Sequence, residues 1–194
     1  MTNGPSQKSV FREYVESFLI AILLALFVRA FFVQAFKIPT GSMRPTLIEG
    51  DRILVNKVVY GIKIPFTGIR LPAVRQPQRG DLVVFRSPTD PKRDFIKRLA
   101  AVGGDTVEIK DLRLWINGKP LTEPAIFRQI NYYNRGTYGA GDQPVTVPAG
   151  HYFFLGDNSA SSQDSRYWGF LEEKEVIGKA FLIYWPPTRI RWLK

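Results

Sequence analysis

Apolar residues fall into two regimes along the chain. Between Phe18 and Phe36 they run almost without a break, interrupted only by Arg29 and Gln34, and Phe18–Val28 offers no polar face to water. A bilayer core about 30 Å thick needs about 20 such residues as helix. The pattern therefore predicts one membrane span from residue 14 to about 32, inside an anchor region of 14–35, behind a polar and disordered tail of residues 1–13. Arg29, at the end of the uninterrupted run, can snorkel to the headgroups. A cleaved leader competes with this reading, because Val33-Gln34-Ala35 has the small-residue spacing of a cleavage site. Arg29 lies between the apolar run and that site and argues against it.

After Phe36 the apolar runs are short and separated by turn residues. They cover 52–60, 81–85, 95–102, 106–109, 112–116, 145–147, 152–155 and 176–185. They are rich in β-branched and aromatic side chains and too short for helices, so each predicts a strand. Asn117-Gly118 between two such runs suits the type I′ turn of a hairpin. The expected fold is mostly β, an antiparallel, barrel-like domain over residues 36–194 behind a single N-terminal helix. Within it, residues 111–147 read as a variable hairpin region. Residues 122–144, polar and rich in Tyr and Gly, read as a loop excursion outside the core.

Composition narrows the chemistry. The chain has 194 residues, enough for one domain and an anchor, and no cysteine, which removes thiol catalysis, disulfides and thiolate metal sites. His151 is the only histidine, so a catalytic zinc is disfavoured, and neither metal nor cofactor is expected. The net charge is +10, nearly all of it after the apolar run. Such a surface suits anionic lipid headgroups as well as nucleic acid. The anchor favours the bilayer as partner and argues against nucleic acid.

Three segments carry candidate chemistry. In Ile38-Pro39-Thr40-Gly41-Ser42-Met43-Arg44-Pro45, two prolines stiffen a loop that presents Ser42, although a loop serine is usually only a turn former. In Asp94-Phe95-Ile96-Lys97-Arg98, strand alternation puts Phe95 and Lys97 on one face and Asp94, Ile96 and Arg98 on the other. A lysine among apolar neighbours either snorkels or is buried. If buried, its pKa falls and the neutral amine becomes a general base. The third segment, Gly156 to Gly169, is a long polar loop in which Asp164 and Arg166 can pair.

These segments, with Gly50-Asp51, Arg79 to Phe85, Gly104-Asp105 and Gly178-Lys179-Ala180, resemble the motif series of type I signal peptidases, in order and behind one N-terminal span. The resemblance runs from about residue 14 to about 185 and is weakest over 111–147. It implies a Ser/Lys-dyad serine endopeptidase that cleaves signal peptides from exported precursor proteins after small residues in the Ala-X-Ala pattern, through an acyl-enzyme. By the same resemblance Ser42 is the nucleophile and Lys97 the general base. Thr40 and the Ser42 backbone N–H form the oxyanion hole, Ser162 orients the lysine, and Asp164 with Arg166 supports the site. The last box departs from the family pattern over Asn158-Ser159-Ala160-Ser161-Ser162, so Ser161 could serve in place of Ser162. The resemblance also implies pockets lined by Ile38, Met43, Leu47, Phe95 and Ile96 for the residue before the cut, and by Phe36, Ile53 and Val84 for a second pocket. It places the enzyme in a bacterial inner (plasma) membrane, or a thylakoid-type one, with its catalytic domain on the extracytoplasmic side. The competing readings are a Ser/His protease using His151, a repressor-type Ser/Lys autoprotease, and an inactive membrane-anchored scaffold.

Overall fold

The computed structural model describes residues 10–64, 67, 69–141 and 143–193, so the first nine residues of the expected tail lie outside the described residues. The apolar run forms one helix, α1 (Val10–Phe31), none of whose residues is buried against the rest of the chain. Its length and composition allow it to cross a membrane. It differs from the expectation at both ends. It begins at Val10 rather than residue 14, taking in Arg12, which pairs with Glu16 one helical turn on at 2.9 Å. It stops at Phe31, and residues 33–35 of the expected anchor belong to the first strand, β1 (Val33–Lys37).

The strands that follow are β2 (Arg52–Asn56), β3 (Leu82–Arg86), β4 (Asp94–Val102), β5 (Thr106–Lys110), β6 (Arg113–Ile116) and β7 (Lys119–Pro120). After a short helix α2 (Ile126–Gln129) come β8 (Val145–Thr146), β9 (His151–Leu155), helix α3 (Ser165–Trp168), β10 (Leu171–Glu172), β11 (Val176–Trp185) and β12 (Arg191–Trp192). Two sheets result. The larger is a curled antiparallel sheet in the order β1-β2-β11-β3-β4-β9-β10, with β12 also on β11, and the smaller has the order β7-β6-β5-β8. The mostly β architecture behind one apolar helix is the expected fold.

The long central strands are covered on both faces. One side of the large sheet packs Ile38, Met43, Leu47, Ile53, Val55, Val84 and Ile183 into one cluster, and the other packs Val83, Phe85, Leu99, Phe154 and Val176 into a second. Full coverage of this kind explains why β3 reads as a continuous apolar run rather than as an alternation.

A third cluster corrects the sequence reading. Phe127, Ile130 and Tyr132 are buried with Val107, Leu114 and Phe153, so residues 122–144 are not an excursion outside the core. Their apolar side chains are spaced too irregularly to register as an element, yet α2 and the segment after it close the open face of the smaller sheet. The Asn117-Gly118 turn has positive φ at both residues, 53° and 72°, as a type I′ turn requires.

Candidate active site

The loop from Ile38 to Leu47 is held from within. Ile38, Met43 and Leu47 are buried in the core, and the short 3-10 turn Gly41–Met43 leaves the Ser42 side chain at the tip. It is also held from the far end of the sequence. The Asn158 backbone N–H donates to the Ser42 carbonyl oxygen at 3.0 Å, and Asn158 Nδ2 donates to the Gly41 carbonyl at 3.1 Å. The first and third segments noted in the sequence are thus in direct contact.

The second segment completes the cluster. β4 pairs with β3 so that Lys97 faces Val83, and the lysine is only 5% exposed. Its Nζ donates to Ser42 Oγ at 2.7 Å and lies 5.5 Å from the Phe95 ring. Among the described residues no carboxylate forms an ion pair with it. Burial therefore dominates and draws the amine down to about 8. The more distant Asp164 and Asp157 carboxylates pull it up, and Arg166 pushes it down.

A cleft of about 490 Å³ opens at this pair, lined by residues 38–40, 42, 43, 93–97, Ser161 and Gln163. Ile38, Met43, Phe95 and Ile96 line it as expected. Four other expected lining residues do not. Leu47, Ile53 and Val84 are fully packed in the apolar cluster behind the cleft, and Phe36 packs against that cluster from outside. Phe36, Ile53 and Val84 turn to that cluster from strands β1, β2 and β3, and Leu47 reaches it from the loop. Arg93, Asp94 and Gln163 line the mouth instead. Their polarity hid them from a search for apolar pockets.

Two buried ion pairs frame the site. Arg166 and Asp164 are both inaccessible and bind in bidentate fashion, with Nε and Nη2 each 2.8 Å from a carboxylate oxygen. The remaining guanidinium donors reach Ser159 Oγ at 2.8 Å, the Ser159 carbonyl at 2.9 Å, the Ser162 carbonyl at 3.4 Å and the Tyr133 carbonyl. Asp164 also accepts the Gly156 N–H at 2.9 Å. The second pair was missed in the sequence. Arg98, expected on a polar face, is 3% exposed, and it grips Asp157 through two bonds of 2.8 and 2.6 Å. Thr46 bonds the same carboxylate. The charge signs within the Asp94–Arg98 and Gly156–Gly169 segments were the available signal.

The three remaining hydroxyls differ. Thr40 is exposed on the cleft wall, and Ser161 also lines the cleft. Ser162 is buried and its Oγ has no hydrogen-bond partner among the described residues, so the expected bond to the Lys97 amine is not made. Gly156 explains its placement. A Cβ there would stand 2.2 Å from Ser162 Oγ and 2.6 Å from the Ser42 carbonyl oxygen, so only glycine lets the two loops close on each other. His151 is not part of the cluster. Its Nδ1 lies 3.0 Å from the Ala149 carbonyl, and it lines a separate cavity with Lys63, Arg70 and Glu172.

Comparison with known proteins decides the family. Residues 11–185 match the family described as signal peptidase, peptidase S26. The chain belongs to the signal peptidase I family. It is 37% identical to Signal peptidase I of Pseudomonas aeruginosa over 92% of this chain and 74% of that one. It is 35% identical to Signal peptidase I of Aquifex aeolicus over 90% and 84%, and 34% identical to Signal peptidase I T of Bacillus subtilis over 96% and 91%. This signal peptidase is accordingly a serine hydrolase that acts on signal peptides, and its apolar helix can anchor it in a membrane. Membership removes the inactive scaffold from consideration.

Proposed function

We propose that this protein is a membrane-bound endopeptidase that removes signal peptides after small residues in the Ala-X-Ala pattern, using Ser42 as nucleophile and neutral Lys97 as general base. The observation that carries this reading is the 2.7 Å contact between Lys97 Nζ and Ser42 Oγ, made by a lysine that burial has drawn down to about 8. A serine hydroxyl is a poor nucleophile until a base takes its proton, and a neutral amine can do so where a charged one cannot.

In the first half-reaction Ser42 Oγ attacks the scissile carbonyl carbon as its proton passes to Lys97 Nζ. The tetrahedral oxyanion is held by the Ser42 backbone N–H and the Thr40 hydroxyl, a few kcal/mol per donor in comparable sites, or about 3. The C–N bond then breaks and the lysine proton goes to the departing amine. In the second half-reaction water attacks the acyl-enzyme, Lys97 takes its proton, and that proton returns to Ser42 Oγ as the ester breaks. Asp164 and Arg166 support this by holding the 159–162 loop, in which Ser162 is the hydroxyl assigned to orient the lysine. Ile38, Met43, Phe95 and Ile96 are the apolar walls that accept small side chains before the cut.

The substrates are exported precursors, and the enzyme sits in a bacterial plasma membrane with residues 36–194 outside the cytoplasm. The +10 net charge favours an anionic membrane surface. The test is cleavage of a precursor, and of a short peptide spanning its cleavage site, by the detergent-extracted protein beside Ser42→Ala and Lys97→Arg. Loss of both activities in both variants is expected. Wild-type turnover by Lys97→Arg would remove the dyad from consideration.

A further inference from the structure

The Ser42 loop and the 157–163 loop run side by side, pinned by the two Asn158 bonds, and the cavities along them fall in order. The cleft with Lys97 takes residues 38–43 from one loop and Ser161 and Gln163 from the other. A second cavity of about 370 Å³ takes Arg44 and Pro45 from the first loop and 157–160 from the other, with Gln129, Asn131 and Tyr133 opposite. A third, of about 500 Å³, shares Pro45 and Gln129 with the second and continues to Thr46, Arg191 and Trp192. The second and third cavities join at Pro45 and Gln129 into one groove, and the second follows the cleft along both loops, at Met43-Arg44 and Ala160-Ser161.

The groove mixes apolar walls, Pro124, Ile126 and Trp192 among them, with polar side chains, and it carries one unbalanced positive charge. Asp157 in its floor is occupied by Arg98, and Arg44 at its rim is paired with Glu49 at 2.8 Å. Arg191 has only the Thr46 carbonyl, at 2.6 Å, and no carboxylate pairs with it among the described residues. Side-chain amides of Gln129, Asn131 and Asn158 add donors and acceptors for an extended backbone.

We infer that this groove holds the first residues on the leaving side of the scissile bond, the new N-terminus of the mature protein, and that Arg191 makes the enzyme prefer an acidic side chain there. The inference rests on the Ser42 reading above. The amine that departs from Ser42 must exit away from the acyl part in the Lys97 cleft, and the ordered cavities supply that path.

Three detergent-soluble peptides test it. They are identical up to the cut and carry Glu, Ser or Lys at the second to fourth positions after it. Each enzyme's kcat/KM is normalised to its own rate on the Ser peptide. The wild type is expected to favour Glu over Lys by about 3- to 10-fold, the size of one or two exposed ion pairs, with the preference fading at 1 M salt. Arg191→Gln should bring the ratio close to one, Arg191→Lys should retain it, and Arg191→Glu should reverse it. A ratio near one in the wild type, or one that the Arg191 variants leave in place, overturns the groove assignment while leaving Ser42 and Lys97 standing. Cleavage of the Ser peptide by Ser42→Ala would instead overturn the Ser42 reading, and this inference with it.

Discussion

If Lys97 is the base, the pH profile of kcat/KM must follow its titration, because that ratio reports the free enzyme's essential groups. With the amine drawn from 10.5 to about 8, about 9% of it is neutral at pH 7, against about 0.03% for an unperturbed lysine. Burial thus raises the working population about 300-fold. The rate on a short cleavable peptide should climb about 50-fold between pH 6 and 8, and only about twofold more by pH 10. Stopped-time assays in a constant-ionic-strength buffer series would trace this limb. Lys97→Arg should lie at least about 10³-fold below it at every pH, since general bases contribute about 10² to 10⁴ and a guanidinium cannot accept the proton. A limb that keeps rising tenfold per pH unit to pH 10 would refute the burial argument. A midpoint near 6.5 would point to an imidazole and refute the lysine.

The same shift has a stability consequence. The folded pKa lies below the unfolded one, so the unfolded chain binds more protons between pH 8 and 10.5, and stability should rise across that window. Below pH 8 the full penalty stands, so Lys97→Met should raise the urea unfolding free energy at pH 7 by up to about 3 kcal/mol, a gain that vanishes by about pH 10.5. Ser162→Ala removes a buried hydroxyl that has no partner, so Tm should hold, while kcat falls about tenfold with KM unchanged. A larger loss in Ser161→Ala would transfer the orienting role to that neighbour. Gly156→Ala should abolish cleavage and lower Tm, because its Cβ meets Ser42 backbone and Ser162 together. Arg166→Met strands a buried Asp164 carboxylate and should cost about 3–5 kcal/mol by chemical denaturation.

The two regimes of apolar patterning made the anchor and the strands legible, and strands β4, β9 and β11 lie within a residue of their expected bounds. The helix ends were not legible. Arg12 looks like tail until its one-turn spacing to Glu16 is seen to form a pair, and Val33-Gln34-Ala35 is apolar enough to pass for span while β2 recruits it into the sheet. Residues 127–132 escaped because their burial depends on the shape of the smaller sheet, which no local pattern encodes. At the site, Ser42 and Lys97 stood out through the motif order and do meet in space. Leu47, Ile53 and Val84 lie in the apolar cluster behind the cleft, a placement that no local pattern encodes.

The framing ion pairs explain how a lysine so close to acidic residues can still be drawn down. Asp164 and Asp157 both favour a charged amine, and unpaired they would pull its pKa further up. Each is instead bidentate with its own guanidinium, Asp164 with Arg166 and Asp157 with Arg98, so the frame is close to neutral. Desolvation then decides the shift. The carboxylates are nonetheless needed, because their bonds to Gly156, Thr46 and the two arginines fix the loop that presses against Ser42. A frame of apolar residues could match the dielectric but could not donate four directed bonds from one side chain into the 159–162 loop and Tyr133, as Arg166 does. The pairs therefore serve placement rather than stability: they keep Ser42 Oγ 2.7 Å from Lys97 Nζ while their opposed charges leave burial to set the amine's pKa.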